Sequence, residues 1–446
     1  MNHIIIKMSK MKIGIIGAGF VGLSFAVVLA QKDFHVILID KDVRKIKKIK
    51  ENEPPFFEPK LSSYLSKSLK MIESSSNFEL LKKCDIIFIT VGTPIGKNGM
   101  IDLNNVIQVG KEIGKKVLQS NSKPVIVLKS TVIPGTSQKI LKVIENSWNK
   151  VGKGFSLVTN PEFLREGKAI EDTKNPHILV IGGKDGIANK KVVNFYQNVY
   201  KQKIPIFLTN HETAELIKYA NNSFLATKIS FINQMANICE NIPSASVDDI
   251  AKAIGIDPRI GKRFLNAGPG YGGSCLPKDL QALISYSEKL GELPSLLKAV
   301  QKTNDYQVSK IFNLVKKNLN GLNKKKISIL GLSFKENSDD IRESVSIKLI
   351  KKLIHEKLNV MVHDPMAIQN TMKIFGDKIL YSNVIDEVIS NSDCLIIMTP
   401  WNEYKKLNST NFQKMKNKLI IDTRRLFKNR KIEGKYFAVG MNLMKE

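Results

Sequence analysis

Short apolar runs alternating with amphipathic stretches organise the first half of the chain. KIGII (12–16) gives way to the glycine turn GAGFVG (17–22), an amphipathic stretch to about Gln31, and a second apolar run, HVILID. Further runs fall at DIIFITV (85–91), VIVLKST (125–131), SLVTN (156–160) and ILVIG (178–182), with helical patterns between several of them. Short buried strands separated by helices predict a parallel, doubly wound sheet. From Glu212 to about Glu240 the period becomes helical, with neither Pro nor Gly to interrupt it. Its roughly 29 residues predict a helix about 40 Å long, enough to join two domains and to present a dimer face. SVDDIAKAIG and the stretch after Cys275 continue an all-helical middle.

A second α/β pattern starts at KKKISILGLSF and later gives DCLIIMTP (393–400) and KLIIDTR (418–424). The halves echo one another, KIGIIGAGF with KISILGLSF and CDIIFITVGTP with DCLIIMTP. The fold expected is therefore α/β: two Rossmann-like doubly wound parallel-sheet domains joined by a long central helix and a helical middle domain. The division read from the pattern is 11–210, 211–305 and 306–446. The opening MNHIIIKMSK is too short for a signal peptide and reads as a ragged start, with the fold beginning near Met11.

Composition changes this picture little. At 446 residues the chain is long for one core, in keeping with several domains. No apolar run approaches the roughly 18 residues that span a bilayer, so no membrane is expected. The net charge of +28 raises nucleic acid as a partner, but the 69 basic residues include only eight Arg and form no stripe with interleaved aromatics. Genome-wide compositional bias accounts for the charge, and no nucleic-acid partner is expected. Four cysteines (Cys84, Cys239, Cys275, Cys394) lie far apart without a CxxC pair, which fits a reducing cytoplasm. The six His show no metal spacing, and no metal is expected.

Candidate chemistry begins at Gly17, Gly19 and Gly22. GxGxxG between a strand and a helix permits a tight turn, close approach of a pyrophosphate and close helix–strand packing, with Phe20 and Val21 opening the helix. Asp40 ends the second strand, where a carboxylate accepts from ribose hydroxyls and repels a 2′-phosphate, so NAD is favoured over NADP. Lys41 and Lys45 leave some room for NADP, and Lys45 is counted among the cofactor contacts. The segment GPGYGGSCLPKDL (268–280) raises a different chemistry. Ser274 is read as the cap of a helix with Pro277 in its first turn, which puts Cys275 where free N–H groups favour a thiolate. Asp279 lies one turn on, and the glycines are read as leaving the sulfur open to a bulky substrate. Thiolate addition to an aldehyde, hydride loss and hydrolysis of the thioester would yield an acid. Lys218 and Asn222, spaced i and i+4, offer an ammonium and an amide to an oxyanion, although such a pair is also common on a solvated face.

Eight segments together resemble the UDP-glucose/GDP-mannose dehydrogenase family: GAGFVG, FFEP (56–59), KSTV (129–132), NPEFLREG (160–167), AELIKYANNSFLATKISFIN (214–233), GPGYGGSCLPKD, GLSFKENSDDIRES (331–344) and DTRR (422–425). The resemblance implies an NAD-dependent four-electron oxidation of the C6 alcohol of UDP-glucose to UDP-glucuronate by a homodimer or higher homo-oligomer. It implies Cys275 as nucleophile, Lys218 and Asn222 on the C6 oxygen, and Asp279 poising Lys218. It implies that Thr131 and Glu162 share in placing water or moving protons. Thr93, Thr131, Glu166, Cys275 and Arg342 are implied to line the cofactor, and Glu162, Phe163, Leu164, Tyr271, Gly272, Lys335, Arg424 and a neighbouring subunit's Arg259 the substrate. Lys60, His177 and Ile178 depart from the family pattern outside that chemical core. The same chemistry on GDP-mannose or a UDP-N-acetylhexosamine, a two-electron 3-hydroxyacid dehydrogenase, and a silent scaffold are the alternatives.

Overall fold

Mostly β-branched residues, buried after an exposed first position, make the first strand, β1 (Lys12–Ile16), and β2 (His35–Ile39), while β4 (Ile86–Ile89) and β5 (Val125–Leu128) are buried throughout. With β3 (Ile72–Ser75), β6 (Ser156–Thr159), β7 (Leu179–Gly182) and β8 (Ile206–Thr209) they form one sheet in the order β3-β2-β1-β4-β5-β6-β7-β8. The computed structural model describes residues 11–118, 123–148, 154–200, 202–319, 321–322 and 325–442; the opening MNHIIIKMSK lies outside them. The chain divides into two compact units, Met1–Ala220 and Asn221–Glu446, the boundary falling inside a helix.

In the first unit the order of strands reverses between β1 and β4, which leaves a crevice at their carboxyl ends, where ligands bind in such sheets. The helix after β1, Phe20–Ala30, is not amphipathic as its sequence suggested: every residue from Gly22 to Ala30 is buried. It lies between the sheet and other elements, and Phe25 meets Phe88 edge-on at 5.0 Å, with Phe195 and Tyr196 beyond. The expected all-parallel sheet has one exception, because β7 pairs antiparallel to β6 at Thr159 and Gly182. The NPEFLREG turn and the short helix Ala169–Lys174 intervene without a full crossover helix, so the chain re-enters from the end at which it left. β3 and β8 were not foreseen. Their sequences, IESS and IFLT, are short and carry exposed positions.

The long helix runs His211–Cys239, 29 residues, one position ahead of the expected span at each end. Its first turns fasten the helix Thr136–Trp148. The Glu215 carboxylate accepts from the N–H groups of Gly135 and Ser137, each at 2.7 Å, and from the Ser137 hydroxyl at 2.7 Å. Ser137 hydrogen-bonds Thr159 at 2.7 Å, and Thr159 reaches His211 Nδ1 at 2.8 Å, so a buried polar chain joins both ends of one helical turn.

The second unit holds the remainder of that helix, the helices Val247–Ile256, Leu276–Lys289 and Ser295–Asn318, and a second sheet. β9 (Lys326–Leu330), β10 (Asn359–His363), β11 (Leu380–Tyr381), β12 (Cys394–Ile397), β13 (Leu419–Asp422) and β14 (Lys435–Ala438) lie in the order β11-β10-β9-β12-β13-β14, every pair parallel. Two parallel-sheet α/β domains with a helical middle region are thus present. β9 and β10, β12 and β13 repeat the pairing of β1 and β2, β4 and β5.

Burial pushes the Glu215 carboxyl up to about 7, against the hydrogen bonds that favour its charged form. A carboxyl held above its unfolded value stabilises the fold below about pH 4.3, and that contribution falls away as pH rises to about 7. Glu215→Gln abolishes this dependence. The Tm advantage of the native protein over the variant is therefore expected to shrink between pH 5 and pH 8 in thermal melts.

Candidate active site

Gly17 takes φ +110°, a conformation costly to any residue with a Cβ, and a Cβ there would lie 3.0 Å from the Thr90 backbone. At Gly22 a Cβ would lie 1.8 Å from the Gly17 oxygen, whereas Gly19 faces open space. The first helix therefore packs hard on the turn and leaves its approach clear, with Phe20 and Val21 half-buried in the first turn and no acidic side chain among them. Asp40 sits beside the turn. Its Oδ2 accepts from Ala18 N–H at 2.7 Å and its Oδ1 from Asp42 N–H at 2.8 Å, while Lys45 stands 4.0 Å from Oδ2. Each oxygen keeps acceptor capacity for a ribose hydroxyl. The residues fit a dinucleotide.

Across the crevice, Thr93 donates to the Thr131 carbonyl at 2.7 Å, and Ser130 donates to Val91 at 2.7 Å, so the segments after β4 and β5 are tied together. Glu162 and Lys218 form a buried ion pair at 3.1 Å. Leu164 N–H donates to Glu162 at 2.5 Å, and the Lys218 ammonium lies 5.4 Å from the centre of the Phe163 ring. The structure thus brings Glu162, Phe163, Leu164 and Lys218 to one place. Glu166 follows, half-buried, beside a residue to which no role was given from sequence: buried Glu58 accepts from Gly167 N–H at 2.8 Å and Ala169 N–H at 2.7 Å. Nothing in FFEP signals a partner more than 100 residues away.

In the second unit Cys275 is itself the N-cap of the helix Leu276–Lys289, with Pro277 in the first turn, and the Asp279 N–H donates to its carbonyl at 2.8 Å. Ser274 makes no cap. Its hydroxyl lies 3.5 Å from the Cys275 sulfur instead. Asp279, fully buried, accepts from the Asn222 amide at 2.6 Å and from Lys278 at 2.6 Å. Lys278 was also missed, although it adjoins the predicted carboxylate.

The glycines before Cys275 serve neighbouring protein groups. A Cβ on Gly268 would lie 2.8 Å from the Arg424 guanidinium, on Gly270 2.8 Å from Asn304, on Gly272 2.4 Å from the Glu343 carbonyl, and on Gly273 2.7 Å from the Phe334 ring. Asn304 also brackets Tyr271, accepting from its N–H at 2.8 Å and donating to its carbonyl at 3.0 Å, and Gly273 N–H donates to the Arg342 carbonyl at 2.9 Å. The expected open access is therefore only part of their purpose; they let the 331–344 loop and Arg424 close on the cysteine loop.

The arginines divide. Arg424 donates to the Met398 carbonyl at 2.8 Å, and burial with Arg425 beside it pulls its guanidinium down to about 10. Arg342 holds Asp340 at 2.6 Å and Arg259 holds Asp257 at 2.6 Å, the latter on an exposed side chain. Lys335 lies over the Phe334 ring at 5.2 Å. Among the described residues no group of His, Cys, Asp or Glu is placed to hold a metal ion, and no helix is long and apolar enough to cross a membrane.

A glycine turn that fits a dinucleotide, a carboxylate beside it with spare acceptor capacity, and, further along the chain, an accessible thiol at a helix start agree with one class: the chain is a nicotinamide-dependent dehydrogenase. Residues 11–202 match the NAD binding domain of the UDP-glucose/GDP-mannose dehydrogenase family, residues 212–306 its central domain and residues 328–429 its UDP binding domain. The chain belongs to that family. It is 38% identical over 445 residues to the UDP-glucose 6-dehydrogenase of Rickettsia bellii, covering 97% of this chain and 100% of that one. It is 40% identical over 428 residues to a putative UDP-glucose 6-dehydrogenase of Bacillus subtilis, covering 95% and 97%. Among solved structures it resembles a UDP-glucose dehydrogenase of Pyrobaculum islandicum, with TM-score 0.90, 32% identity and coverage of 97% and 98%. The fold is shared with a UDP-D-ManNAc dehydrogenase of Pyrococcus horikoshii at TM-score 0.86 and 24% identity, covering 97% of this chain and 100% of that one.

Cys275 is exposed while Cys84, Cys239 and Cys394 are buried, and burial pushes the Cys84 thiol up to about 12. Brief treatment of the folded protein with iodoacetamide is therefore expected to alkylate one thiol per chain, mapped to Cys275 by peptide mass spectrometry. Cys275→Ser should take up essentially none.

Proposed function

We propose that the protein oxidises the C6 alcohol of UDP-glucose to the carboxylate, releasing UDP-glucuronate and reducing two NAD⁺ per sugar. The observation that carries this reading is the placement of Cys275, the one exposed thiol, as the cap of a helix whose next turn presents a buried Asp279 bonded to Asn222. NAD, bound at the Gly17–Gly22 turn and Asp40, supplies a hydride acceptor for each of the two oxidations. The Glu162 carboxylate, paired with Lys218, takes the proton of the C6 hydroxyl in the first. The Cys275 thiolate then adds to the aldehyde carbon, and Lys218 and Asn222, four residues apart on one helix, hold the resulting oxyanion. Loss of the second hydride leaves a thioester on Cys275. Water, placed by Thr131, Glu162 and Asp279, adds to that carbonyl, the C–S bond breaks, and the acid leaves with the thiolate restored.

Thr93, Glu166 and Arg342 complete the cofactor contacts in this reading, and Phe163, Leu164, Tyr271, Gly272, Lys335 and Arg424 the sugar-nucleotide contacts. Arg259 belongs to the substrate site of a second copy, which suits its exposure. Phe224, Phe231 and Ile238 support such an assembly. They recur every seven residues along the long helix and stay 65%, 48% and 46% exposed, an apolar stripe fit to meet its own copy. The unbridged cysteines support a cytoplasmic protein. The working division remains 11–210, 211–305 and 306–446.

With limiting UDP-glucose and excess NAD⁺, absorbance at 340 nm is expected to report two NADH per sugar, with GDP-mannose and UDP-N-acetylhexosamines turned over far more slowly. One NADH per sugar would sink the thioester route. Cys275→Ser should bind UDP-glucose and NAD normally by calorimetry yet lose on the order of a thousandfold or more in kcat.

A further inference from the structure

Lys129 stands out because nothing in the chemistry above uses it. Its side chain is buried, and its ammonium makes no ion pair among the described residues. It donates to Asn160 Oδ1 at 3.0 Å, lies 3.4 Å from the Tyr196 hydroxyl, and stands over the rings of Phe25 and Tyr196 at 5.5 and 5.8 Å. Asn160 is fully buried and doubly tied to the sheet. Its N–H donates to the Leu128 carbonyl at 2.9 Å and its amide to the Val180 carbonyl at 2.8 Å, and its Oδ1 also accepts from Tyr196. Pro161 and Glu162 follow directly. Lys129 and Glu162 wall the same small cavity of about 30 Å³, with Phe163, His177 and Tyr196.

A buried cation without a carboxylate partner is costly, and the hydrogen bonds to Asn160 and the ring faces offset only part of that cost. The charged groups whose fields reach Lys129 are Glu162 and Lys218; the Tyr196 hydroxyl is kept neutral by its own burial, and Asp172, which also lines the cavity, is engaged by Arg165. Burial pulls the ammonium down to about 8, Lys218 adds to the fall and Glu162 opposes it, so Lys129 remains largely charged at neutral pH.

We propose that Lys129 is a positioning residue for the oxidation, anchoring the Asn160–Glu162 turn from behind through its hydrogen bond to Asn160 and so fixing where the Glu162 carboxylate stands. This rests on the oxidation proposed above. Glu162 follows Asn160 by two residues, so a slip of the Asn160 side chain would displace the carboxylate from the C6 hydroxyl.

The test compares Lys129→Met, Lys129→Gln and Lys129→Arg with the unmodified enzyme. Gln keeps a donor for Asn160 without the charge, and Arg keeps the charge. Without a donor to Asn160 the turn is no longer held, so kcat for UDP-glucose is expected to fall about tenfold in Lys129→Met with KM for UDP-glucose little changed, and to recover largely in Lys129→Gln. Lys129→Arg should likewise keep most of kcat. An unchanged kcat in a folded Lys129→Met variant would overturn the proposal, as would a loss in Lys129→Gln equal to that in Lys129→Met, or failure of all three variants to fold, which would assign the lysine to the fold alone. If the unmodified enzyme itself does not oxidise UDP-glucose, it is the underlying reading that fails.

Discussion

Glu162 and Lys218 meet at 3.1 Å with both side chains almost wholly out of water, and the surrounding architecture is fixed by the need to keep them together. Removing either partner of such a pair leaves an uncompensated buried charge, at a cost of about 3–5 kcal/mol. The segment bearing Glu162 is accordingly held along its length. Asn160 is tied to two strands, Leu164 N–H bonds the carboxylate, Phe163 lies beneath the ammonium, and Glu58 fixes the turn beyond. Lys218 arrives on a helix whose first turns are themselves secured by Glu215. Charged groups so constrained need not be reorganised when a ligand arrives, which is the condition for preorganised electrostatics.

The two sheets show how one turn architecture serves two ends. Gly17 and Gly331 follow their first strands with φ +110° and +101°, Asp40 and Asp364 end the second strands, and Thr90 and Thr399 close the turns from the fourth strand position. Among the described residues Asp40 accepts from Ala18 and Asp42 N–H, at 2.7 and 2.8 Å, and each of its oxygens retains capacity for a ligand. Asp364 is saturated. Its Oδ2 takes Leu332 N–H at 2.7 Å, both donors of Ser333 at 3.1 and 3.2 Å and the Trp401 indole at 3.1 Å, and its Oδ1 takes Met366 and Ala367 N–H at 2.9 and 2.8 Å. The carboxylate that can meet a ribose in the first sheet is part of the framework in the second. This gives a physical reason why one half of an internal echo binds NAD and the other is the family's UDP binding domain.

Legibility followed the range of the interactions. The strands around β1, the dinucleotide turn and the long helix were readable because burial periodicity and turn sterics act within a few residues. Cys275 at a helix start was readable for the same reason, although the cap passed from Ser274 to Cys275 itself once Asp279 N–H took the Cys275 carbonyl. β3 and β8 were hidden because their side chains are polar or exposed and only pairing with a buried neighbour makes them strands.

By itself, then, the sequence determined the two α/β patterns, the helical middle, the glycine turn after β1 and the place of Cys275 at a helix start, since each is written in local spacing. Tertiary structure alone decided the antiparallel join of β6 and β7, the packing partners that require Gly268, Gly270, Gly272 and Gly273, and the buried company of Lys129, Glu162 and Lys218. Those depend on atoms far apart in the chain meeting in a low-dielectric interior, where a few ångströms settle whether a charge is paired, tuned or intolerable.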